Sequence, residues 1–189
     1  MTRLLLIRHG EPEAAWGGAS NDPGLSEQGR EQARAAAAAL AAFGELDVIS
    51  SPMRRCRETA AVYAGIRGVA PEIEPRVSEV ASPPEAQDRR AWLLANFPWQ
   101  GAAPRAWRSL APELHLWREE MLGFVRNIGD DTAVFTHFIA INVIVGAALG
   151  RDETIVCKPG YASITELVLE QGGLKLVSLG DEVRVGEVR

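Results

Sequence analysis

The chain has 189 residues, 47% apolar and 24% charged, which suits a single globular domain spanning residues 1–189 and leaves little room for a long disordered tail. A formal net charge of −5 argues against a nucleic-acid partner, so the one dense basic cluster, Arg54, Arg55 and Arg57, needs another explanation. Cys56 and Cys157 have no CxxC spacing, which predicts neither a zinc site nor a disulfide framework. The first apolar run, Leu4 to Ile7, is too short for a signal peptide or a membrane span. The expected location is the cytoplasm, with no membrane partner.

The segment 3–8 reads as a strand buried on both faces, and it stops abruptly at His9-Gly10. A loop rich in Gly, Pro, Asn and Ser follows over 12–26. An alanine-dense helix is predicted over 27–43, with Ser26 as its N-cap. A second buried strand covers 46–50, and a second helix covers 53–64, opened by Pro52. A short third strand is expected at 72–77. Prolines and tryptophans punctuate 83–105, which predicts short helices mixed with loops, and a small lid or insert around 80–112. Apolar residues at Leu114, Trp117, Met121, Phe124, Val125 and Ile128 predict a helix over 113–128 with one buried face. A strand at 132–136 ends at His137. A nearly all-apolar helix follows over 140–149, closed by Gly150, and a closing pair of strands at 163–170 and 174–179 is joined through Gly172-Gly173.

This alternation predicts an α/β three-layer sandwich, with a mostly parallel central sheet flanked by helices and an antiparallel edge. In such sheets ligands bind outside the carboxyl ends of the strands. Three predicted strands end in chemistry-bearing residues: one at Arg8-His9, one at Ser50-Ser51 ahead of the arginine cluster, and one at Thr136-His137. Two histidines and two arginines converging there suit a tetrahedral dianion, because guanidinium groups offer forked, permanently charged donors to phosphate oxygens. A neutral imidazole nitrogen can attack phosphorus while the arginines offset charge on the equatorial oxygens. The departing alcohol needs a proton, and Glu79 and Glu11 are the candidate acids.

Arg8-His9-Gly10-Glu11 after an apolar strand resembles the signature of the histidine phosphatase (phosphoglycerate mutase-like) superfamily. The stretch from Ser50 to Ala60 is similar to that family's second element, with Arg55 at the position of a phosphate-clamping arginine. The run from Asp22 to Gly29 resembles the link into its first helix. Arg76-Val77-Ser78-Glu79 resembles the segment that delivers the acid, and Val134-Phe135-Thr136-His137 the strand that delivers the second histidine. The resemblance implies His9 as nucleophile, Arg8 and Arg55 as phosphate clamps, His137 as a further phosphate ligand and Glu79 as proton donor, with neither metal nor cofactor. It implies a small phosphatase acting on a phosphorylated metabolite or nucleotide. Three alternatives stand beside it: a mutase, a phosphohistidine protein phosphatase, and a catalytically weak phosphate-binding regulatory module.

Three positions depart from the family pattern. Phe138 and Ile139 follow the second histidine where glycine is usual, which predicts a narrower pocket floor. Ala15 stands where the first loop usually carries asparagine, so Ser20 or Asn21 would have to supply that contact. Val80-Ala81-Ser82-Pro83-Pro84 replaces a segment rich in glycine and tryptophan after Glu79. Glu11 reads more readily as a residue that fixes its loop. Arg54 and Arg57 read as solvated helix residues and His115 as a structural or surface histidine, while Trp92, Trp99 and Trp107 read as a lid's core before a substrate mouth. The oligomeric state is not legible in the sequence.

Overall fold

The computed structural model describes residues 1–13, 22–100 and 103–183. Its sheet has six strands in the order β3-β2-β4-β1-β5-β6: β1 (Thr2–Arg8), β2 (Asp47–Ser50), β3 (Glu72–Ile73), β4 (Thr132–Thr136), β5 (Ile164–Glu170) and β6 (Gly173–Ser178). Strands β1 to β4 run parallel, whereas β5 pairs antiparallel with β1 and β6 antiparallel with β5. The mostly parallel sheet with an antiparallel edge is the architecture expected from the alternation of strands and helices. Among the described residues, no helix is long and apolar enough to cross a membrane.

Strand β1 is apolar without alternation because both of its faces are covered. Leu5 and Ile7 pack with Ala36, Ala37 and Leu40 of α1 (Glu27–Leu40) and with Ala60 and Ala64 of α2 (Arg54–Arg67). The alanines of α1 recur at helical spacing, and their small side chains let the helix lie close to the sheet. Leu4 and Leu6 turn to the opposite layer, where α4 (Pro112–Val125) and α5 (Phe138–Leu149) pack with Trp99 and Trp107. Each leucine so buried contributes roughly 1.5–3 kcal/mol.

Several boundaries differ from the sequence expectation, each for a local reason. The third strand stops at Ile73, because Pro75 has no N–H for a ladder and Glu74 accepts the Arg76 N–H at 2.8 Å, which opens a 3₁₀ turn over Pro75–Val77. The α-helix after Ser26 ends at Leu40 and tightens to a 3₁₀ turn over Ala41–Phe43, and the helix after Pro52 runs on to Arg67. Helix α4 starts at Pro112, whose missing N–H costs nothing in the first turn. The closing hairpin turns through Gln171 and Gly172, both at positive φ (49° and 77°), one residue earlier than expected. Helix α5 starts at Phe138, directly after His137. The irregular middle contains α3 (Arg89–Asn96) and a short 3₁₀ turn at Trp107–Ser109. Trp99 and Trp107 are buried and Trp92 packs against the same core, while Trp99 meets the Phe138 ring edge-on at 6.1 Å.

Candidate active site

Because β1, β2 and β4 are parallel, their carboxyl ends lie on one side of the sheet, and the ladder continues past each strand. Arg8 is in register with Thr136, His9 N–H donates to Thr136 O at 3.0 Å, and Ser51 N–H donates to Phe135 O at 3.0 Å. Arg8, His9, Ser51 and His137 are thereby drawn together, with the two imidazole centroids 5.3 Å apart. Arg55 arrives from the first turn of α2.

His9 is buried, and the chain leaving it is fixed at two points. Gly10 N–H donates to Thr59 Oγ1 at 3.0 Å, while that hydroxyl donates to Arg55 O at 2.7 Å. Gly10 also lies backbone to backbone against Gly29: a Cβ on Gly10 would come within 2.5 Å of Gly29 O, and one on Gly29 would collide with Glu11 O. Only glycine fits at either position. The His9 Nδ1 atom sits 2.7 Å from Gly10 O, and a carbonyl only accepts, so Nδ1 carries the proton and Nε2 keeps its lone pair. Burial, then the charges of Arg55 and Arg8, push its pKa well below the usual imidazole value. The ring is neutral, with Nε2 available as a nucleophile.

Arg8 is wholly buried. Its Nη1 donates to Pro159 O at 2.9 Å, while Nε and Nη2 have no hydrogen-bond partner among the described residues. Its Cζ lies 4.0 Å from the centroid of the Tyr161 ring and 5.2 Å from that of Phe138. A buried guanidinium with unclaimed donors is costly, by several kcal/mol, unless something anionic reaches it. Burial lowers its pKa, opposed by Tyr161 and Glu79.

His137 has the opposite hydrogen-bonding pattern to His9. Arg55 Nη2 lies 3.2 Å from its Nδ1, and a guanidinium only donates, so that nitrogen accepts. The proton then sits on Nε2, which donates to Ser51 Oγ at 2.8 Å, with Cys56 Sγ 3.3 Å away. Burial, then the charge of Arg55, holds this ring neutral as well. Both nitrogens of His137 are thus engaged with protein groups. Cys56 is buried, which pushes its thiol up to about 12 and leaves it a packing residue.

Glu79 follows the turn at Pro75–Val77 and reaches the opening of α5. Its Oε1 accepts the Val80 N–H and its Oε2 the Ile139 N–H, each at 3.1 Å. Burial raises its pKa against the pull of those two amides and of Arg55 and Arg89. Arg89, at the start of α3, donates to Val80 O at 2.8 Å and to Ser82 Oγ at 3.1 Å. Glu11 is tied into its loop: its carbonyl accepts the Ser26 N–H at 2.9 Å, its Oε1 lies 3.4 Å from Ser26 Oγ, and its N–H donates to Gln32. Arg54 pairs with Glu58 at 2.6 Å on the exposed face of α2, Arg57 is exposed, and His115 lies against Trp107. Ala15, Ser20 and Asn21 lie outside the described residues.

Arg8, His9, Arg55, Glu79 and His137 therefore meet at one end of the sheet, and Glu11 stands beside them in the loop that leaves His9. Among the described residues, no group of three or more His, Cys, Asp or Glu is placed to hold a metal ion. The arrangement offers a nucleophilic nitrogen, in-plane donors for an oxyanion and a carboxyl group with raised proton affinity. Two neighbours escaped the sequence reading, Arg89 and Tyr161, while Thr59 entered it only as part of the stretch from Ser50 to Ala60. Tyr161 had a usable signal, since a strand antiparallel to β1 brings the residues ahead of it beside the end of β1.

The chain matches the family described as the histidine phosphatase superfamily (branch 1) over residues 4–182. It is 29% identical over 168 residues to a probable phosphoglycerate mutase of Photorhabdus laumondii, covering 79% of this chain and 76% of that protein. It is 39% identical over 80 residues to a glucosyl-3-phosphoglycerate phosphatase of Mycolicibacterium vanbaalenii, covering 41% of this chain and 36% of that protein. Among solved structures, the native mycobacterial glucosyl-3-phosphoglycerate phosphatase superposes with a TM-score of 0.76 at 22% identity, over 97% of this chain and 100% of that one. A mutant phosphoserine phosphatase of Entamoeba histolytica in complex with phosphoserine superposes with a TM-score of 0.70 at 20% identity, over 96% of this chain and 98% of that one.

Proposed function

Because the chain belongs to the histidine phosphatase superfamily and is thereby a phosphatase, we propose that it hydrolyses small phosphomonoesters through a phosphohistidine on His9. The observation that carries this reading is the pairing of a neutral His9, protonated at Nδ1, with the buried Nε and Nη2 donors of Arg8, which have no hydrogen-bond partner among the described residues.

In the first step the Nε2 lone pair forms a bond to phosphorus as the bond to the ester oxygen breaks. Arg8 and Arg55 stabilise the charge on the transferred oxygens, and the Glu79 carboxyl group gives its proton to the departing alkoxide. In the second step water attacks the phosphohistidine while the Glu79 carboxylate takes the water's proton, which returns the acid and releases phosphate. His137, whose Nδ1 accepts from Arg55, holds that guanidinium in place. No step needs a metal. On this reading a lid around 80–112 selects the leaving alcohol, and Arg89, which faces Glu79 from α3, is the described residue that ties it to the site.

The deciding measurement is phosphate release from an aryl phosphate with chelator present, together with trapping of an acid-labile, base-stable phosphoenzyme. Release and trapping in the wild type, both lost in His9→Ala, are expected. Turnover that survives in His9→Ala would overturn the mechanism. The relative named a probable phosphoglycerate mutase supports a second reading, in which the phosphoryl group returns to another hydroxyl of the bound molecule. An isomeric monoester among the products would favour it.

A further inference from the structure

We propose that Tyr161 is a positioning residue that holds Arg8 ready for phosphate, with its ring closing on the guanidinium so that the Nε and Nη2 donors stay desolvated yet unclaimed. The inference rests on Arg8 being a phosphate ligand and extends that reading to a residue and a loop with no assigned part in it.

The loop ahead of β5 is built to deliver this ring. Antiparallel pairing sets Ile164 opposite Ile7, so the chain just before β5 passes the end of β1. Arg8 N–H donates to Ser163 O and Ala162 N–H to His9 O, each at 3.3 Å. Between those contacts Ala162 adopts φ 54°, a left-handed conformation that a residue with a Cβ keeps only where its surroundings over-determine it. Upstream, the buried Asn142 accepts the Val156 and Cys157 N–H groups at 2.7 and 2.9 Å, and Gly160 N–H donates to Asp181 O at 2.7 Å. Pro159 O takes Nη1 of Arg8, and two residues later the Tyr161 ring lies 4.0 Å from its Cζ and 5.8 Å from the His9 ring.

The choice of an aromatic residue has a physical reason. A carboxylate would neutralise Arg8 but would occupy the N–H groups that phosphate needs, whereas a ring face attracts the cation through its quadrupole and leaves Nε and Nη2 open; the phenolic hydroxyl of Tyr161 also draws on the guanidinium, and the Phe variant separates the two contributions. Phe138 adds a second ring at 5.2 Å, itself backed by Trp99. The bulky residue where the family usually has glycine therefore serves the same guanidinium, and it links Trp99 to Arg8.

The test compares wild type, Tyr161→Phe and Tyr161→Leu by calorimetric binding of inorganic phosphate, aryl phosphate kinetics and thermal unfolding. Tyr161→Leu is expected to weaken phosphate binding roughly tenfold and to lower kcat/KM at least as much, with Tm nearly unchanged, while Tyr161→Phe stays within about twofold of wild type. Wild-type binding with an unaltered Tyr161→Leu overturns this inference and leaves the proposed function standing. Equal losses in the Phe and Leu variants would assign the effect to the phenolic hydroxyl and overturn the ring's role. A wild type that binds no phosphate overturns both readings.

Discussion

His9 and His137 stand at the ends of neighbouring parallel strands, both buried, both neutral, with rings 5.3 Å apart, yet their neighbours set them to opposite tautomers. At His9 a carbonyl takes the Nδ1 proton and leaves Nε2 with its lone pair, whereas at His137 a guanidinium fills Nδ1 and the Nε2 proton goes to Ser51. The same side chain keeps a lone pair for the proposed attack on phosphorus in one setting and accepts a hydrogen bond from an arginine in the other. The difference lies in one hydrogen-bond partner, not in burial or charge, because both rings feel Arg8 and Arg55.

The sharpest way to break this contrast is to remove each ring in turn. His9→Ala is expected to lose about 10⁴-fold or more in kcat/KM and all trapped phosphoenzyme, while His137→Ala loses about 10²–10³-fold and still forms phosphoenzyme slowly. Phosphoenzyme in the first variant or none in the second would reverse the assignment. If neither histidine is an imidazolium near neutral pH, the acid must lie elsewhere. Glu79→Gln should therefore cost about 10²-fold with an alkyl phosphate and far less with an aryl phosphate, whose leaving group needs no proton. The wild-type rate should fall as pH rises through the raised pKa of Glu79, and the variant should lack that limb.

Stability gives a third handle. As pH falls through about 6.5 the unfolded chain takes up a proton on each histidine while the folded protein does not, so stability is lost on acidification by up to about 1.4 kcal/mol per pH unit for each ring. Glu79 offsets part of this, because burial makes the folded carboxyl group keep a proton that the unfolded one has released. Urea unfolding should show a net loss of about 1–2 kcal/mol between pH 7.5 and 5.5, reduced when either histidine is replaced. A flat profile would mean that the rings charge inside the fold. The smallest effect is expected at Ser51→Ala, which removes the acceptor for His137 Nε2–H. It should destabilise by about 1 kcal/mol and lower activity a few-fold, with nitrogen NMR showing the His137 tautomer equilibrium disturbed and that of His9 unchanged.

Much of the fold was legible because its signals are local. The continuous apolar run of β1, the alanine spacing of α1 and the Gly150 stop of α5 each reflect a chain that must bury two faces, one face or none of its next turn. The boundaries that slipped were set by single contacts, such as Glu74 capping the turn that ends β3. The surroundings of Trp92, Trp99 and Trp107 were hardest to read, because these tryptophans pack against residues distant in sequence.

By itself the sequence determined which residue types stand at the strand ends, and with them the family and the candidate set Arg8, His9, Arg55, Glu79 and His137. Only the tertiary structure decided how protons are distributed among them, which carboxyl group reaches α5 and which ring closes on Arg8. Those outcomes depend on pairings up to 151 residues apart in the chain, such as Arg8 with Pro159 O. Strand signals are written in neighbouring side chains, whereas a tautomer or a raised pKa is fixed by whichever atoms the fold brings within about 3 Å.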